Sequence, residues 1–321
     1  MAYEIGKTII DELKLCYEAD MTVLEDLASV NYGESYDSGN LYSKSYDPGN
    51  LYSKNDDPGN FNYQKSSDPG NFSFYRTTSH HFKYAYDVCV GDITERRKVA
   101  TARFGRYGDV EVSDYFFYRV ENYVLYDYDL LKYTLTIPEM LGMCFHNFTS
   151  LDIAIDAKID LARLMRRMWH REDVITIING KAIKDRKAIV KHLNLTYSTS
   201  LERLKNLTVY VKQSKASHDK TKGVTVQAYN KGNEISEASH KDYINEFYGN
   251  PKRLFRLEVH LNNAEIKDYC KRLDVSQDLN MIYDQTFLTD MFYYHLSSVI
   301  RFTKGREKLD WKDIIKNNGR L

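Results

Sequence analysis

Between Gly223 and Leu261 apolar and polar residues alternate in two runs separated by a polar span. Period two is the signature of a strand that buries one face. In the first run Val224, Val226 and Ala228 take one side and leave Thr225, Gln227, Tyr229 and Lys231 on the other. In the second, Phe255, Leu257, Val259 and Leu261 are apolar, and Arg256, Glu258 and His260 share the opposite side. Upstream, Leu151, Ile153 and Ile155 alternate with Asp152, Ala154 and Asp156 in the same way. If the three strands share a sheet, its polar face gathers a phenol, two cations, an imidazole and three carboxylates. That inventory suits metal-assisted phosphoryl transfer.

The remaining pattern predicts helices around these strands. Residues 5–30 place Ile9, Ile10, Leu13, Val23, Leu24 and Leu27 at helical spacings, which predicts an N-terminal helical segment. Phe72 to Tyr128 is rich in Tyr, Phe and Val and predicts several antiparallel strands. Beyond Asp156 the period turns helical, with Leu161, Leu164, Met165 and Met168 on one face and Arg163, Arg166, Arg167 and Arg171 largely on another. Asn179-Gly180 between apolar runs predicts a tight hairpin over Val174 to Ile183. Helices are expected again at Arg186 to Leu193, Ala264 to Leu273 and Ile282 to Phe302, with Trp311 anchoring a charged tail. The fold class expected is α+β, with a central, mainly antiparallel sheet and helices on one face. The expected divisions are residues 1–30 (helical), 31–78 (flexible insert), 79–275 (catalytic) and 276–321 (C-terminal, helical).

The insert is a repeat. Asp37-Ser-Gly-Asn, Asp47-Pro-Gly-Asn, Asp57-Pro-Gly-Asn and Asp68-Pro-Gly-Asn recur at spacings of 10, 10 and 11 residues. Proline and glycine make each unit a turn, and units so short and polar cannot each bury a core.

The chain of 321 residues carries 45 basic and 45 acidic side chains, but they are unevenly placed. Residues 1–157 hold 14 Lys+Arg against 25 Asp+Glu, and residues 158–231 hold 17 against 6. A basic segment beside carboxylate-bearing strands can hold a phosphate backbone in a chain of zero net charge. Its candidate phosphate contacts are Arg163, Arg166, Arg167, Lys212 and Lys215. A solvated basic surface is the competing reading. The cysteines Cys16, Cys89, Cys144 and Cys270 lie far apart and read as reduced core thiols. The His80-His81 doublet would point its rings to opposite faces of a strand and is assigned no role. No apolar run is long enough to span a bilayer and no signal-peptide core is present, so no membrane partner and a cytoplasmic location are expected.

A catalytic tyrosine must lose a proton of pKa near ~10 and meet an activated electrophile, which a divalent metal and nearby cations supply. Asp152, Asp156 and Glu258 are hard ligands suited to Mg²⁺ or Mn²⁺. Arg256 and Lys231 are placed to neutralise charge on phosphoryl oxygens. Taken singly, these residues also fit structural tyrosine, solvated aspartates and a surface ion pair.

In order, Asp152-Ile-Ala-Ile-Asp156, Thr208-Val-Tyr-Val with its Ser/Lys-rich turn, Val226-Gln-Ala-Tyr229-Asn-Lys231 with Glu234 behind, and Arg256-Leu-Glu258-Val resemble the motifs of the Rep_trans family. That family initiates rolling-circle replication of small plasmids and some filamentous phages. The resemblance spans roughly Tyr118 to Phe302. It implies a DNA nicking and closing enzyme in which Tyr229 attacks the strand, keeps the 5′-phosphate and frees a 3′-hydroxyl, with metal ligands at Asp152, Asp156 and Glu258. Origin DNA, a homodimer partner and a host helicase are the partners expected. The chain departs from the pattern at Lys212-Gln213, where a glycine is expected, and in the repeat insert. It also lacks the His-x-His of histidine-dependent nickases. The alternatives are a mobilisation relaxase and a non-enzymatic DNA-binding regulator on the same scaffold.

Overall fold

The computed structural model describes residues 6–29, 35–37, 72–91, 96–107, 114–183, 209–212 and 223–320. The Asp-Pro-Gly-Asn repeats, the expected helix at Arg186 to Leu193 and Lys215 lie outside them. In chain order the elements begin with β1 (Thr8–Glu18), α1 (Met21–Ala28), β2 (Ser35–Asp37), β3 (Phe72–Thr77), β4 (Phe82–Val90), β5 (Arg97–Tyr107) and β6 (Tyr115–Val120). Then come α2 (Tyr128–Met140), β7 (Cys144–Ala157), α3 (Leu161–His170), β8 (Ile175–Ile178), β9 (Lys181–Ile183), β10 (Val209–Lys212) and β11 (Thr225–Asn230). The chain closes with α4 (Lys231–Glu234), α5 (Asp242–Phe247), β12 (Phe255–Asn262), α6 (Asn263–Arg272), α7 (Gln285–Val299), β13 (Ile300–Lys304), β14 (Glu307–Lys308) and α8 (Trp311–Lys316). The class is α+β, with helices packed around a large antiparallel sheet. No described helix is long and apolar enough to cross a membrane.

The chain forms two compact units, one of Met1–Leu13 with Phe148–Leu321 and one of Lys14–Asn147. In the first unit the hydrogen-bonded strand order is β10-β11-β12-β7-β1. Val226, Ala228, Leu257 and Val259 are fully buried, and α3 and α7 pack against β11 and β12. The buried side of α3 is apolar throughout, Leu161, Leu164, Met165 and Met168, and so belongs on the apolar rows of the sheet. A second sheet of order β14-β13-β8-β9 completes this unit. Its β8–β9 turn is the expected one, with Asn179 at φ 50° and Gly180 at φ 77°.

In the second unit the order is β1-β6-β5-β4-β3-β2. One face holds Phe74, Tyr86, Phe104, Phe116 and Tyr118, all buried. Helices α1 and α2 cover it, because the Tyr86 hydroxyl donates to the Leu27 carbonyl (2.6 Å) and the Tyr118 hydroxyl to the Thr134 carbonyl (3.1 Å).

Three expectations need correction. Residues 8–18 are a strand rather than the start of an N-terminal helix. Thr8, Ile9 and Ile10 are buried consecutively, as happens in a strand covered on both faces, and β-branched side chains favour that state. The C-terminal segment is not wholly helical: β13 follows α7 and pairs with β8, Ile300 lying opposite Ile178. Trp311 does anchor the tail, donating its indole N–H to the Ile300 carbonyl at 2.9 Å. Of the four thiols, Cys16 and Cys270 are buried, Cys89 is half-buried and Cys144 is exposed.

Candidate active site

Strand register sets out the polar face of the first unit in three rows. Strand β12 lies between β11 and β7, so Arg256 stands opposite Tyr229 and Asp156, Glu258 opposite Gln227 and Ala154, and His260 opposite Thr225 and Asp152. Because the side chains of alternate residues share a face, all these groups rise from one side of the sheet. A pocket of about 240 Å³ lies there, lined by Asp152, Thr225, Gln227, Glu258 and His260.

The first row is closed by charge. Arg256 is fully buried and grips Asp156, also fully buried, with Nε at 2.7 Å from Oδ1 and Nη2 at 2.6 Å from Oδ2. Its Nη1 meets Asp11 of β1. Tyr248, just past α5, hydrogen-bonds Asp156, and burial foremost pushes its phenol well above the usual range. Asp156 therefore spends its carboxylate on a guanidinium and a phenol rather than facing the pocket as a metal ligand. Arg256, expected to meet phosphoryl oxygens, is held by two carboxylates out of solvent. Lys231 is also buried, with Nζ 2.8 Å from Glu234 and 5.7 Å from the centre of the Tyr229 ring.

A phenol and a carboxylate link the first and second rows. The Tyr229 hydroxyl donates to Glu258 Oε2 at 3.2 Å. Burial, reinforced by the Glu258 charge, holds Tyr229 well above the ordinary phenol range. Glu258 is itself pushed up to about 7 by burial and by the charges of Asp11 and Asp152, against the pull of Arg256 and Lys231.

In the third row Asp152 and His260 form an ion pair through Nδ1. Burial raises the Asp152 carboxyl above its ordinary value, and the hydrogen bond to Asp152 raises the His260 imidazole. Glu12 of β1 joins them: one ligand atom from each of Glu12, Asp152 and His260 lies within 4.8 Å of the others. Asp11 and Glu12 are consecutive, yet one reaches Arg256 and the other the Asp152–His260 pair, so strict alternation fails in β1 at this point. Two carboxylates and an imidazole form a mixed set that fits Mn²⁺ better than Mg²⁺, for which imidazole is a poor donor.

The structure thus brings Asp152, Glu258 and His260 together at one pocket, with Tyr229 joined to it through Glu258 and Glu12 through Asp152 and His260. It does not bring the arginines of α3 there. Arg163 and Arg167 are exposed on the side of α3 away from the sheet; Arg163 pairs with Asp160 at 3.1 Å, and Arg167 donates to the Asn318 carbonyl at 3.2 Å. Arg166 is on the same helix and half-buried. The backbone of Lys212 ends β10, opposite Thr225. His260 was visible on the polar face of its strand, and the register sets it against Asp152 and within reach of Glu12.

The raised groups predict how stability varies with pH in the absence of metal. A carboxyl whose pKa is higher folded than unfolded binds more protons when folded, so stability falls as pH rises through that interval. For Glu258 the interval runs from 4.5 to about 7. Asp152 and His260, both raised, pull the same way, His260 above 6.5. The Tm in EDTA should fall between these limits, and Glu258→Gln should flatten the slope. An unchanged slope in the variant would remove Glu258 from the set of perturbed groups.

In comparisons with known proteins, no family model, no curated protein and no solved structure matches this chain.

Proposed function

We propose that this protein is a metal-dependent DNA nicking and closing enzyme that uses Tyr229 as nucleophile and starts rolling-circle replication, as its resemblance to the Rep_trans initiators implies. The observation that carries the reading is the Tyr229 hydroxyl at 3.2 Å from Glu258, a carboxylate that also lines the pocket beside the Glu12, Asp152 and His260 cluster.

Glu12, Asp152 and His260 would hold the ion. A divalent cation there supplies polarisation of a bound phosphodiester and relief of the negative charge crowded on this face. Tyr229 passes its proton to Glu258, whose pKa of about 7 suits a group that takes and returns a proton near neutrality. The phenolic oxygen then forms a bond to phosphorus while the P–O3′ bond breaks. O3′ leaves with the electron pair and takes up the proton that Glu258 received, giving a 3′-hydroxyl and a 5′-phosphotyrosyl ester. Attack by that hydroxyl reverses each transfer and closes the strand. Arg256 acts by position: anchored to Asp156 and Asp11, it fixes the row beside Tyr229 and lowers the cost of charge on Glu258.

Supercoiled DNA of the protein's own replicon should convert to open circles with Mn²⁺ and not in EDTA. Glu12→Ala and His260→Ala should each weaken Mn²⁺ binding, read by calorimetry without DNA, by at least about tenfold. Unaltered Mn²⁺ affinity in both variants would place the ion elsewhere. Intact supercoils with every divalent metal tried would leave the protein without the proposed activity.

A further inference from the structure

Both cations expected to meet phosphoryl oxygens are held by carboxylates: Arg256 by Asp156 and Asp11, and Lys231 by Glu234. The reaction proposed above gathers negative charge on the phosphorus oxygens beside Tyr229, where a cation not already paired would stabilise it most. Lys241 has that property. It is half-buried, and its ammonium makes no hydrogen bond or ion pair with any described residue.

The backbone brings it there in two steps. Directly after β11, Gly232 donates its N–H to the Leu254 carbonyl at 2.9 Å, which ties α4 to the entry of β12. Ile235–Ser239 then form a single π turn, closed by the His240 N–H on the Ile235 carbonyl at 2.8 Å, and His240 takes φ 52°. A wide turn ending in a left-handed residue reverses the chain, and such turns recur at functional sites. Lys241 is the next residue, and α5 begins after it. The far end of α5 is fixed by Tyr248 on Asp156. The seven steps from Lys241 to Tyr248 rise about 10 Å, or two strand spacings, enough to reach from Asp156 on β7 across β12 to Tyr229 on β11.

The surrounding charges agree with that placement. Asp11, Lys231, Glu234 and Arg256 act on Lys241, and Arg256, Asp11 and Glu234 act on Tyr229 as well. Lys231 itself lies 5.7 Å from the centre of the Tyr229 ring. Burial foremost lowers Lys241 below the ordinary lysine range, with Lys231 and Arg256 adding to the effect and Asp11 and Glu234 opposing it. A desolvated ammonium without a counter-ion gains most from an anionic ligand.

We propose that Lys241 is the catalytic cation of this site, giving a charge-assisted hydrogen bond to a non-bridging oxygen of the phosphodiester that Tyr229 attacks. It keeps its protons throughout, and bonds form and break only between Tyr229, phosphorus and O3′. The role in cleavage rests on the nicking reaction proposed above; capture of a phosphate by Lys241 is independent of it.

The test uses the whole chain with Mn²⁺ and inorganic phosphate as the probe, followed by calorimetry. The parent should bind phosphate. Lys241→Met, which keeps the apolar stem, should weaken that binding by at least about tenfold, while Lys241→Arg stays within about threefold. Mn²⁺ affinity without phosphate and Tm should not fall in either variant, because Lys241 has no partner to lose. On supercoiled DNA, Lys241→Met should slow cleavage by about 10²-fold and Lys241→Arg by less than about tenfold. Phosphate binding that is absent in the parent, unchanged in Lys241→Met, or lost equally in both variants would overturn the proposal. Cleavage by Lys241→Met at the parent's rate would overturn the catalytic role. Phosphate binding that depends on Lys241 in a protein that cuts no DNA would keep the phosphate site and sink the nicking reading alone.

Discussion

Tyr229→Phe should fold and bind Mn²⁺ as the parent does, yet lose strand cleavage by at least about 10³-fold, because the variant keeps the ring and removes the oxygen proposed to attack phosphorus. The stability cost should stay near one part-buried hydrogen bond, about 1 kcal/mol. Tyr248→Phe is the contrasting variant. Its hydroxyl serves Asp156 in the buried ion network, so it should lower Tm and leave the chemical step within a few-fold. Cleavage by Tyr229→Phe within tenfold of the parent would transfer the nucleophile to another residue. Cleavage lost only in Tyr248→Phe would identify which one.

The second large effect is on stability. Arg256→Met leaves Asp156 and Asp11 facing one another without a counter-charge, and breaking a buried pair from one side costs about 3–5 kcal/mol. For a unit of this size that corresponds to a fall in Tm of about 10 °C. Replacing Arg256, Asp156 and Asp11 together by apolar residues of similar volume should recover most of the loss, because the cost lies in the uncompensated charges. A fall worth less than about 1 kcal/mol in Arg256→Met would mean that Arg256 and its carboxylates are hydrated rather than buried.

The site was legible where one face of a strand is buried and the other is not. Strands β7, β11 and β12 alternate cleanly, so Asp152, Tyr229, Glu258 and His260 fall on one face from spacing alone. Strand β1 does not alternate, because Thr8, Ile9 and Ile10 are all buried, and the same residues satisfy a helical spacing. Asp11 and Glu12 were lost with it. The fate of Asp156 and Arg256 was hidden for a different reason. Both lie on the expected face, but their confrontation is a property of register between residues 100 apart in sequence, which no local pattern carries. The hairpin at Asn179-Gly180 was readable because both residues must accept positive φ, a local demand. The β13 strand was not, since Ile300 and Phe302 continue the apolar stripe of α7 and only β8 makes them a strand. The division of the chain at Leu13 and Asn147 cuts through β1 and β7, and no change in composition marks it.

The central claim is that Tyr229 becomes joined to DNA, and mapping the joined residue tests it most directly. Protein incubated with supercoiled DNA of its replicon and Mn²⁺ would be denatured, treated with nuclease and trypsin, and examined by mass spectrometry for a peptide bearing a residual nucleotide. The account predicts that the modified peptide spans Gly223 to Lys231 and that the nucleotide is attached through its 5′-phosphate to Tyr229. A nucleotide on any other residue, or nicked DNA with no joined peptide at all, would contradict it.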